Sequence, residues 1–431
     1  MVKGLNNMEK VRSKSATPSI IQTIFIWLTI FIPGHMYGWG VERFYVVSAA
    51  FLGCCCLVFN KKLKSWLKID PNLIIVIFMS LTIVGLLGYS VAVIINSIDT
   101  GIRDYFEILR WPICMIFILF VARFLNKQHV DVFNKAITVS LFYCLFIYFL
   151  YKVNVPVLSS FFTGIIYSDA KTWFTWDGYG RLSVPFENPN FLAFYLNLVL
   201  TYLIFFSKSS KINRFISLML VAFLLYLTGS RSGWVCTLII FFAWVLFNFR
   251  ILFTKANLKA FVSLTTLVLI LYFGFKLISL EFATNYRIQM LMSAIEGGGI
   301  KTEANLSGRF DQMRQSWEYT TQTPFFGWGS AKYGLMEVID SQYFTWLFRY
   351  GLIGFTIILL TCVYIIVNLL RLASFNLKYT YGLLALFLQL FIMLGTGAFL
   401  DNFRLFFVTI IFLQVIWLIL GDVPISSMKL Q

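Results

Sequence analysis

The chain has 431 residues, of which 59% are hydrophobic, 19% aromatic and only 13% charged. A soluble domain could not bury this much apolar surface, so the composition excludes a soluble globular protein and predicts an all-α, polytopic integral membrane protein. The net charge of +16 would also suit a nucleic-acid binder, but the basic residues lie in short segments between apolar runs, so we expect no nucleic-acid partner.

Runs of about 20 apolar residues, the length that crosses a bilayer, recur along the whole chain. The twelve predicted spans are 18–37, 43–60, 72–96, 108–125, 133–153, 186–206, 212–228, 232–249, 258–280, 341–370, 379–399 and 403–421. An even number of spans places both termini on one face. Lys and Arg are concentrated on that face, so the positive-inside rule predicts cytoplasmic termini.

Two segments on the opposite face, 154–185 and 281–340, are long enough to be more than connectors. We treat residues 1–431 as a single membrane domain and expect the longer loop to fold over a functional site. Its stretch from Leu306 to Thr320 is compatible with a helix. The aromatic and Met residues of this loop predict that it lies against the membrane face.

Three arginines on the loop face stand beside or between predicted spans, namely Arg181, Arg231 and Arg309. A guanidinium group keeps its charge when it is desolvated, and its planar fork of donors suits a diphosphate. Such a group is tolerated at a span mainly where an anion or a water-filled cavity meets it. The sequence predicts that these side chains converge on one cavity, although anchoring at lipid headgroups would explain Arg181 equally well.

Asp340 stands at the predicted start of the span at 341–370 and is a candidate base for a sugar hydroxyl. A carboxylate is favoured at a helix N-terminus whatever its function, so a capping role also explains it. Arg314 is five residues beyond Arg309 and is expected to face solvent or Glu318, although we retain it as a candidate ligand contact.

The remaining candidates for binding are Asn188, which follows Arg181, and the aromatic residues Trp317 and Tyr343. Flat aromatic faces suit sugar rings, but residues of this kind also form the interfacial belts of membrane proteins. Asp401 and Arg404 lie close together in a tight turn and predict an ion pair.

Several short motifs follow one another between about residues 180 and 355. They are Asn188-Pro-Asn190 after Arg181, Thr228-Gly-Ser-Arg-Ser-Gly233, Ser307-Gly-Arg-Phe310 with Trp317, Pro324-Phe-Phe-Gly-Trp-Gly329, and Asp340-Ser-Gln-Tyr343 with Gly351-Leu-Ile-Gly354. In this order and spacing the chain resembles the O-antigen ligase and O-antigen polymerase family of bacterial membrane glycosyltransferases.

This resemblance implies a GT-C-like membrane fold in the bacterial inner membrane, with a periplasmic site. It also implies undecaprenyl-diphosphate-linked glycans as donor and acceptor. Ligases of the family have arginines at the positions of Arg231 and Arg309 and a His at the start of the next span. This chain has Asp340 where that His would be, which favours a polymerase over a ligase.

The implied reaction requires no metal and no cofactor, because a glycosyl diphosphate is already activated. We expect inversion at the anomeric carbon, with Arg231 and Arg309 stabilising the leaving diphosphate and Asp340 positioning the acceptor or taking its proton. A chain-length regulator protein is a candidate partner. The alternatives are an O-antigen ligase that transfers glycan to lipid A core, and a lipid-linked oligosaccharide flippase, which the one-sided charges disfavour.

Overall fold

A computed structural model describes residues 69–98, 107–153, 181–186, 188–252, 304–330 and 339–421, with isolated positions around 23–40, 66–67, 104 and 335–336. Its helices are α1 (Pro71–Ser90), α2 (Arg110–Phe124), α3 (His129–Val153), α4 (Pro189–Thr201), α5 (Lys211–Thr228), α6 (Arg231–Leu252), α7 (Ala304–Gln322), α8 (Gln342–Ala373), α9 (Leu377–Thr396) and α10 (Phe403–Leu420). The π-helical turns Val91–Ile95 and Tyr202–Phe206 extend α1 and α4, and a 3₁₀ turn covers Phe399–Asp401. Two short strands, β1 (His35–Met36) and β2 (Trp39–Gly40), pair antiparallel.

The fold is that of an all-α polytopic membrane protein, as the composition predicts. Eight described helical segments are long and apolar enough to cross a bilayer, formed by α1, α3, α4, α5, α6, α8, α9 and α10. Helix α2 coincides with another predicted span but has only 15 residues. The predicted spans 43–60 and 258–280, and most of 18–37, lie outside the described residues, as do 154–180 of the first loop and 281–303 of the second.

Five helices begin at a residue whose side-chain oxygen accepts a hydrogen bond from a backbone N–H of the first turn. These capping residues are Asp70, Asn188, Ser210, Asn376 and Asn402. Each cap satisfies a donor that the helix itself leaves unpaired. The helix starts, and the side chains they carry, are therefore fixed by local sequence.

Helix α10 lies at the centre of the bundle, since 89% of its apolar window is buried within the protein. Phe407 stacks on Phe117 of α2, with ring centroids 3.8 Å apart. On the same helix, Phe412 packs edge-on against Phe133 of α3. These ring contacts join α2, α3 and α10 into one core.

Helix α8 is interrupted at Gly351, where φ is 57° and ψ is −164°, a backbone conformation adopted essentially only by glycine. The break frees two carbonyl groups of the preceding turn. The Phe348 carbonyl accepts a hydrogen bond from the Trp328 N–H at 2.8 Å, and the Arg349 carbonyl accepts one from the Gly329 N–H at 2.8 Å. A segment outside the helix therefore replaces the missing helical bonds.

The same segment, residues 324–329, also accepts from the N–H groups that the break leaves without a helical partner. The Leu352 N–H donates to the Pro324 carbonyl at 2.8 Å, and the Ile353 N–H donates to the Phe325 carbonyl at 3.2 Å. Inside a membrane protein, irregular backbone is stable only where other protein groups satisfy it. The 324–329 segment is thus a structural part of the membrane domain.

Candidate functional site at the polar end of the bundle

The starts of α2, α4, α6, α8 and α10 lie at one end of the bundle, here called the polar end. The turn Phe399–Asp401 connects them, because Phe399 stacks on Phe194 of α4 with centroids 5.1 Å apart. The next two residues of that turn, Leu400 and Asp401, donate their backbone N–H groups to Gln342 of α8. The predicted site residues at or just before the starts of α4, α6 and α8 therefore lie at the same end of the bundle.

Arg181 is buried against the turn between α5 and α6, with 8% of its surface exposed. Its Nε donates to the Thr228 carbonyl at 2.7 Å and its Nη2 donates to Asn190 Oδ1 at 3.2 Å. The Ser230 hydroxyl donates to the same Asn190 oxygen at 2.9 Å. Gly229, with φ +55°, ends α5 and lies against the Arg181 side chain. Arg181 thus holds this turn together, and its contact with a diphosphate stays a prediction.

Arg231 is the first residue of α6, directly after the turn that Arg181 holds, and its side chain is exposed. A positive side chain at a helix N-terminus is unfavourable, because the helix dipole is positive there. The same dipole adds to the guanidinium charge in attracting an anion. Asn188, another predicted site residue, caps α4 by accepting from the Asn190 N–H at 2.8 Å. Asn188 therefore fixes the start of α4, and its contact with a substrate stays a prediction.

Arg309 and Asp340 form an ion pair between α7 and the start of α8. Arg309 Nε lies 3.2 Å from Asp340 Oδ2, and the two side chains are 36% and 39% exposed. The Asp340 N–H donates to Gln312 Oε1 at 3.3 Å, again linking it to α7. Asp340 precedes Ser341, the N-cap position of α8, which makes no side-chain capping bond. The structure thus brings two predicted site residues together where a ligand can reach both.

The other predicted contacts of α7 and α8 have different surroundings. Arg314 forms an exposed pair with Glu318, with 3.0 Å between Nε and Oε1, as their spacing predicts. Trp317 is 51% exposed on the same helix. The Tyr343 hydroxyl donates to the Phe391 carbonyl at 2.8 Å, so it joins α8 to α9. Of these residues, Arg314 and Trp317 are both accessible to a glycan.

A buried network of charges lies beside this site, and the motifs of the sequence did not indicate it. Glu107 receives two hydrogen bonds from Arg110, from Nε at 2.6 Å and from Nη2 at 2.8 Å. Arg349 Nη1 lies 3.1 Å from Glu107 Oε2 and 3.1 Å from Asp401 Oδ2. Gln342 Nε2 donates to Asp401 Oδ1 at 3.0 Å. Two acids and two arginines thus balance their charges at the polar end.

Glu107 is ionised within this network. Burial by itself raises the pKa of its carboxyl, but the positive charges of Arg110 and Arg349 outweigh burial and hold the pKa below its ordinary value of 4.5. A small cavity beside Arg349, with room for about one water molecule, is also lined by Glu107, Trp111 and Tyr350. The network is therefore a closed structural element and not a large ligand pocket.

Asp401 and Arg404 take other partners than the ion pair expected from their proximity in sequence. Asp401 pairs with Arg349. Arg404 donates from Nη1 to the Pro185 carbonyl at 2.7 Å and from Nη2 to the Ile30 carbonyl, and its guanidinium lies 4.3 Å from the centre of the Phe186 ring. The expectation fails because Arg404 is inside the first turn of α10, where backbone carbonyls of neighbouring segments are nearer.

A sequence signal for the buried network does exist. Arg349 lies well inside a predicted span, and an ionisable residue there is rare unless it has a partner or a function. Glu107 and Arg110 are three residues apart at the start of another predicted span, a spacing that brings side chains together on a helix. Their partnership across α2 and α8 cannot be seen in sequence, because it depends on how the helices pack.

One comparison with known proteins gave a match. Residues 216–359, about a third of the chain, match a family model described as O-antigen ligase. The match runs from within α5 to beyond the kink of α8 and includes Arg231, Arg309 and Asp340. It supports the resemblance to the O-antigen polymerase and ligase family, without distinguishing the two, and indicates a multi-pass bacterial membrane protein that is a glycosyltransferase-like enzyme. A search of curated proteins found no match.

Proposed function

We propose that this protein is an O-antigen polymerase that joins undecaprenyl-diphosphate-linked oligosaccharide repeat units at the periplasmic face of the inner membrane. The observation that carries the proposal is the partly exposed Arg309–Asp340 pair at the polar end, within the segment that matches the family model. A guanidinium and a carboxylate in contact there supply the two groups that glycosyl transfer from a diphosphate requires.

The diphosphate of the donor competes with Asp340 for Arg309. An exposed ion pair contributes only about 0.2–1 kcal/mol, so a polyanionic ligand can replace the carboxylate as the partner of the guanidinium. Arg231, on the α6 N-terminus, adds a second positive charge for the same anion. Donor binding therefore stabilises the leaving group and releases the Asp340 carboxylate in one step.

The released carboxylate accepts a hydrogen bond from the acceptor hydroxyl and takes its proton as the new bond forms. The hydroxyl oxygen attacks the anomeric carbon, the bond from that carbon to the phosphate oxygen breaks, and undecaprenyl diphosphate leaves with the electron pair. One displacement inverts the configuration at the anomeric carbon. The step requires no metal, since the two arginines supply the positive charge at the leaving oxygen.

A ligase remains the second candidate, because the matching family model is itself described as O-antigen ligase. A ligase would use the same diphosphate donor but a lipid A core acceptor. The carboxylate of Asp340, in place of the His that ligases of the family have, supports the polymerase. A polymerase and a ligase differ in the acceptor, so the acceptor that the purified protein modifies distinguishes the two functions.

The test is a reaction of the purified, detergent-solubilised protein with lipid-linked repeat units, with products resolved on a gel. A ladder of longer glycans is expected for a polymerase, with and without a chelator. A protein that elongates nothing but modifies a lipid A core acceptor is a ligase. We expect Asp340→Asn, Arg309→Gln and Arg231→Ala each to lower the rate by on the order of 10²-fold.

Matched controls separate catalysis from a general effect of charge. Glu318→Gln removes an exposed carboxylate from α7, and Arg371→Gln removes an exposed guanidinium from the far end of α8. Both are expected to retain wild-type rates. An Arg231→Ala protein that still makes polymer of normal length and at a normal rate would contradict the proposed role of the arginines.

A further inference from the structure

We infer that Gln342 is a positioning residue for Asp340, because it ties the start of α8 to the buried charge network. This inference rests on the proposed function, in which Asp340 accepts the proton of the acceptor hydroxyl. Gln342 follows Asp340 by two residues and is the first residue of α8. Its side chain cannot touch a ligand at the surface, since it is fully buried, at 0% exposure.

Both the nitrogen and the oxygen of the Gln342 carboxamide form hydrogen bonds. Nε2 donates to Asp401 Oδ1 at 3.0 Å. Oε1 accepts from the Leu400 N–H at 2.8 Å and from the Asp401 N–H at 3.2 Å. Three hydrogen bonds therefore fix one side chain of α8 on the turn Phe399–Asp401.

That turn is itself held rigidly. The Asp401 carbonyl accepts from Arg110 Nη1 at 2.8 Å, and its carboxylate pairs with Arg349 at 3.1 Å. Arg349 follows Gln342 by seven residues, so both side chains lie on the same face of α8. Gln342 and Arg349 thus both join α8 to the turn Phe399–Asp401. These contacts set the direction of the helix start.

Asp340 is held from its other side by α7, and that side is more accessible. Its partners there are Arg309, which is 36% exposed in its side chain, and Gln312. A ligand that binds Arg309 and removes it from Asp340 weakens the contacts between Asp340 and α7. The buried Gln342 side then keeps the Asp340 carboxylate where the acceptor hydroxyl arrives.

The test begins with Gln342→Met, which keeps the length of the side chain and removes its three hydrogen bonds. A small misplacement of a catalytic group lowers the rate by on the order of 10²-fold, so we expect kcat to fall by about that factor with little change in KM for the donor. Thr345→Val is the matched control, because Thr345 is equally buried one turn further along α8 and its hydroxyl bonds only the Ser341 carbonyl, at 2.8 Å. The control is expected to keep the wild-type kcat.

A double-mutant cycle tells positioning from a general loss of structure. If Gln342 acts through Asp340, Gln342→Met adds no further loss when Asp340→Asn is already present. Losses that multiply overturn the inference but leave the proposed function standing. A wild-type rate in Asp340→Asn alone overturns the role of Asp340, and the inference with it.

A second variant keeps the test decisive if Gln342→Met does not accumulate in the membrane. Gln342→Glu retains an acceptor for the Leu400 N–H but replaces the donor to Asp401 by a second negative charge. We expect it to lower kcat and to show the same absence of further loss in the Asp340→Asn background. A Gln342→Glu protein with wild-type kcat would overturn the inference.

Discussion

Two ion pairs at the polar end differ mainly in their access to water, and this difference separates their roles. The Arg309–Asp340 pair is about one third exposed, whereas Arg349 and Glu107 are 2% and 12% exposed in their side chains. An exposed pair is weak and exchanges partners easily, while removing one member of a buried pair leaves an uncompensated charge. The first pair therefore suits ligand exchange and the second suits structural support.

The buried pair predicts a particular dependence of stability on pH. The folded-state pKa of Glu107 is lowered, so its stabilising contribution is complete above the ordinary value of 4.5 and is lost as pH falls through the lowered pKa. Glu107→Gln is expected to cost on the order of 3–5 kcal/mol at neutral pH. The measurement is the thermal unfolding midpoint in detergent between neutral pH and pH 3.

The unfolding midpoints of the wild type and of Glu107→Gln should converge at low pH, because protonation removes from the wild type the Glu107 charge that the variant already lacks. Their unfolding midpoints are expected to differ most at neutral pH and to approach each other below pH 4.5. Glu318→Gln, which removes an exposed carboxylate, serves as the control and should follow the wild type at every pH. A constant difference between Glu107→Gln and the wild type at all pH values would show that the Glu107 charge is not the cause.

At the scale of elements, the kink of α8 couples the membrane core to the loop that precedes it. The 324–329 segment bonds both sides of the break at Gly351 and also contacts α1, where Gly88 lies against its backbone. The break, the segment and α1 therefore form one unit, and any side chain added at Gly351 has to displace backbone atoms.

Gly351→Ala is expected to destabilise the protein strongly. Its φ of +57° is strained for alanine by about 1–3 kcal/mol, and the added Cβ would lie 2.4 Å from the Phe325 carbonyl oxygen. Gly308→Ala is the control, because Gly308 is within α7 and, apart from neighbouring atoms of α7, no atom of the described residues lies within 4 Å of its Cβ position, and alanine there stabilises a helix by about 0.5–1 kcal/mol. Thermal unfolding in detergent should show opposite shifts, and equal shifts would refute the structural role of the break.

The sequence predicts the helices themselves much better than it predicts the contacts of the 324–329 segment with the break at Gly351 and with α1. Apolar runs of about the right length give the helices, and capping residues such as Asn188 and Asn402 mark where two of them begin. In the sequence, the Pro324–Gly329 motif indicates only a family resemblance. Its structural role was not predictable, because the role depends on a break more than 20 residues further along the chain and on contact with α1.

At the scale of the whole molecule, the sequence predicted which residues share one end of the bundle better than the contacts between them. Arg181, Arg231 and Asp340 fall at one end of the bundle, as alternating spans require. The sequence also named Arg309 and Asp340 separately, yet it gave no sign that they pair. Whether Arg231 and Arg309 bind one anion stays a prediction, since convergence of that kind is set by tertiary packing.

The predicted alternation of spans across the membrane can be tested by measuring whether single introduced cysteines react with a maleimide. The turn between α8 and α9 lies at the opposite end of the bundle from Asp340, and Phe375 in that turn is 63% exposed. Glu318 is exposed on α7 at the polar end. We expect a membrane-impermeant maleimide to label Glu318→Cys in intact spheroplasts and to label Phe375→Cys only after the membrane is permeabilised.

The described native thiols add little background to this experiment. Three of the four described cysteines, Cys114, Cys144 and Cys236, are buried in the bundle, and Cys362 is partly buried within α8. The wild type is therefore the control for labelling, and a membrane-permeant maleimide is the control for access to Phe375→Cys. Labelling of Phe375→Cys in sealed spheroplasts would show that the orientation of the protein is opposite to the proposed one. The Arg309–Asp340 pair would then face the cytoplasm, where a periplasmic polymerase could not use it.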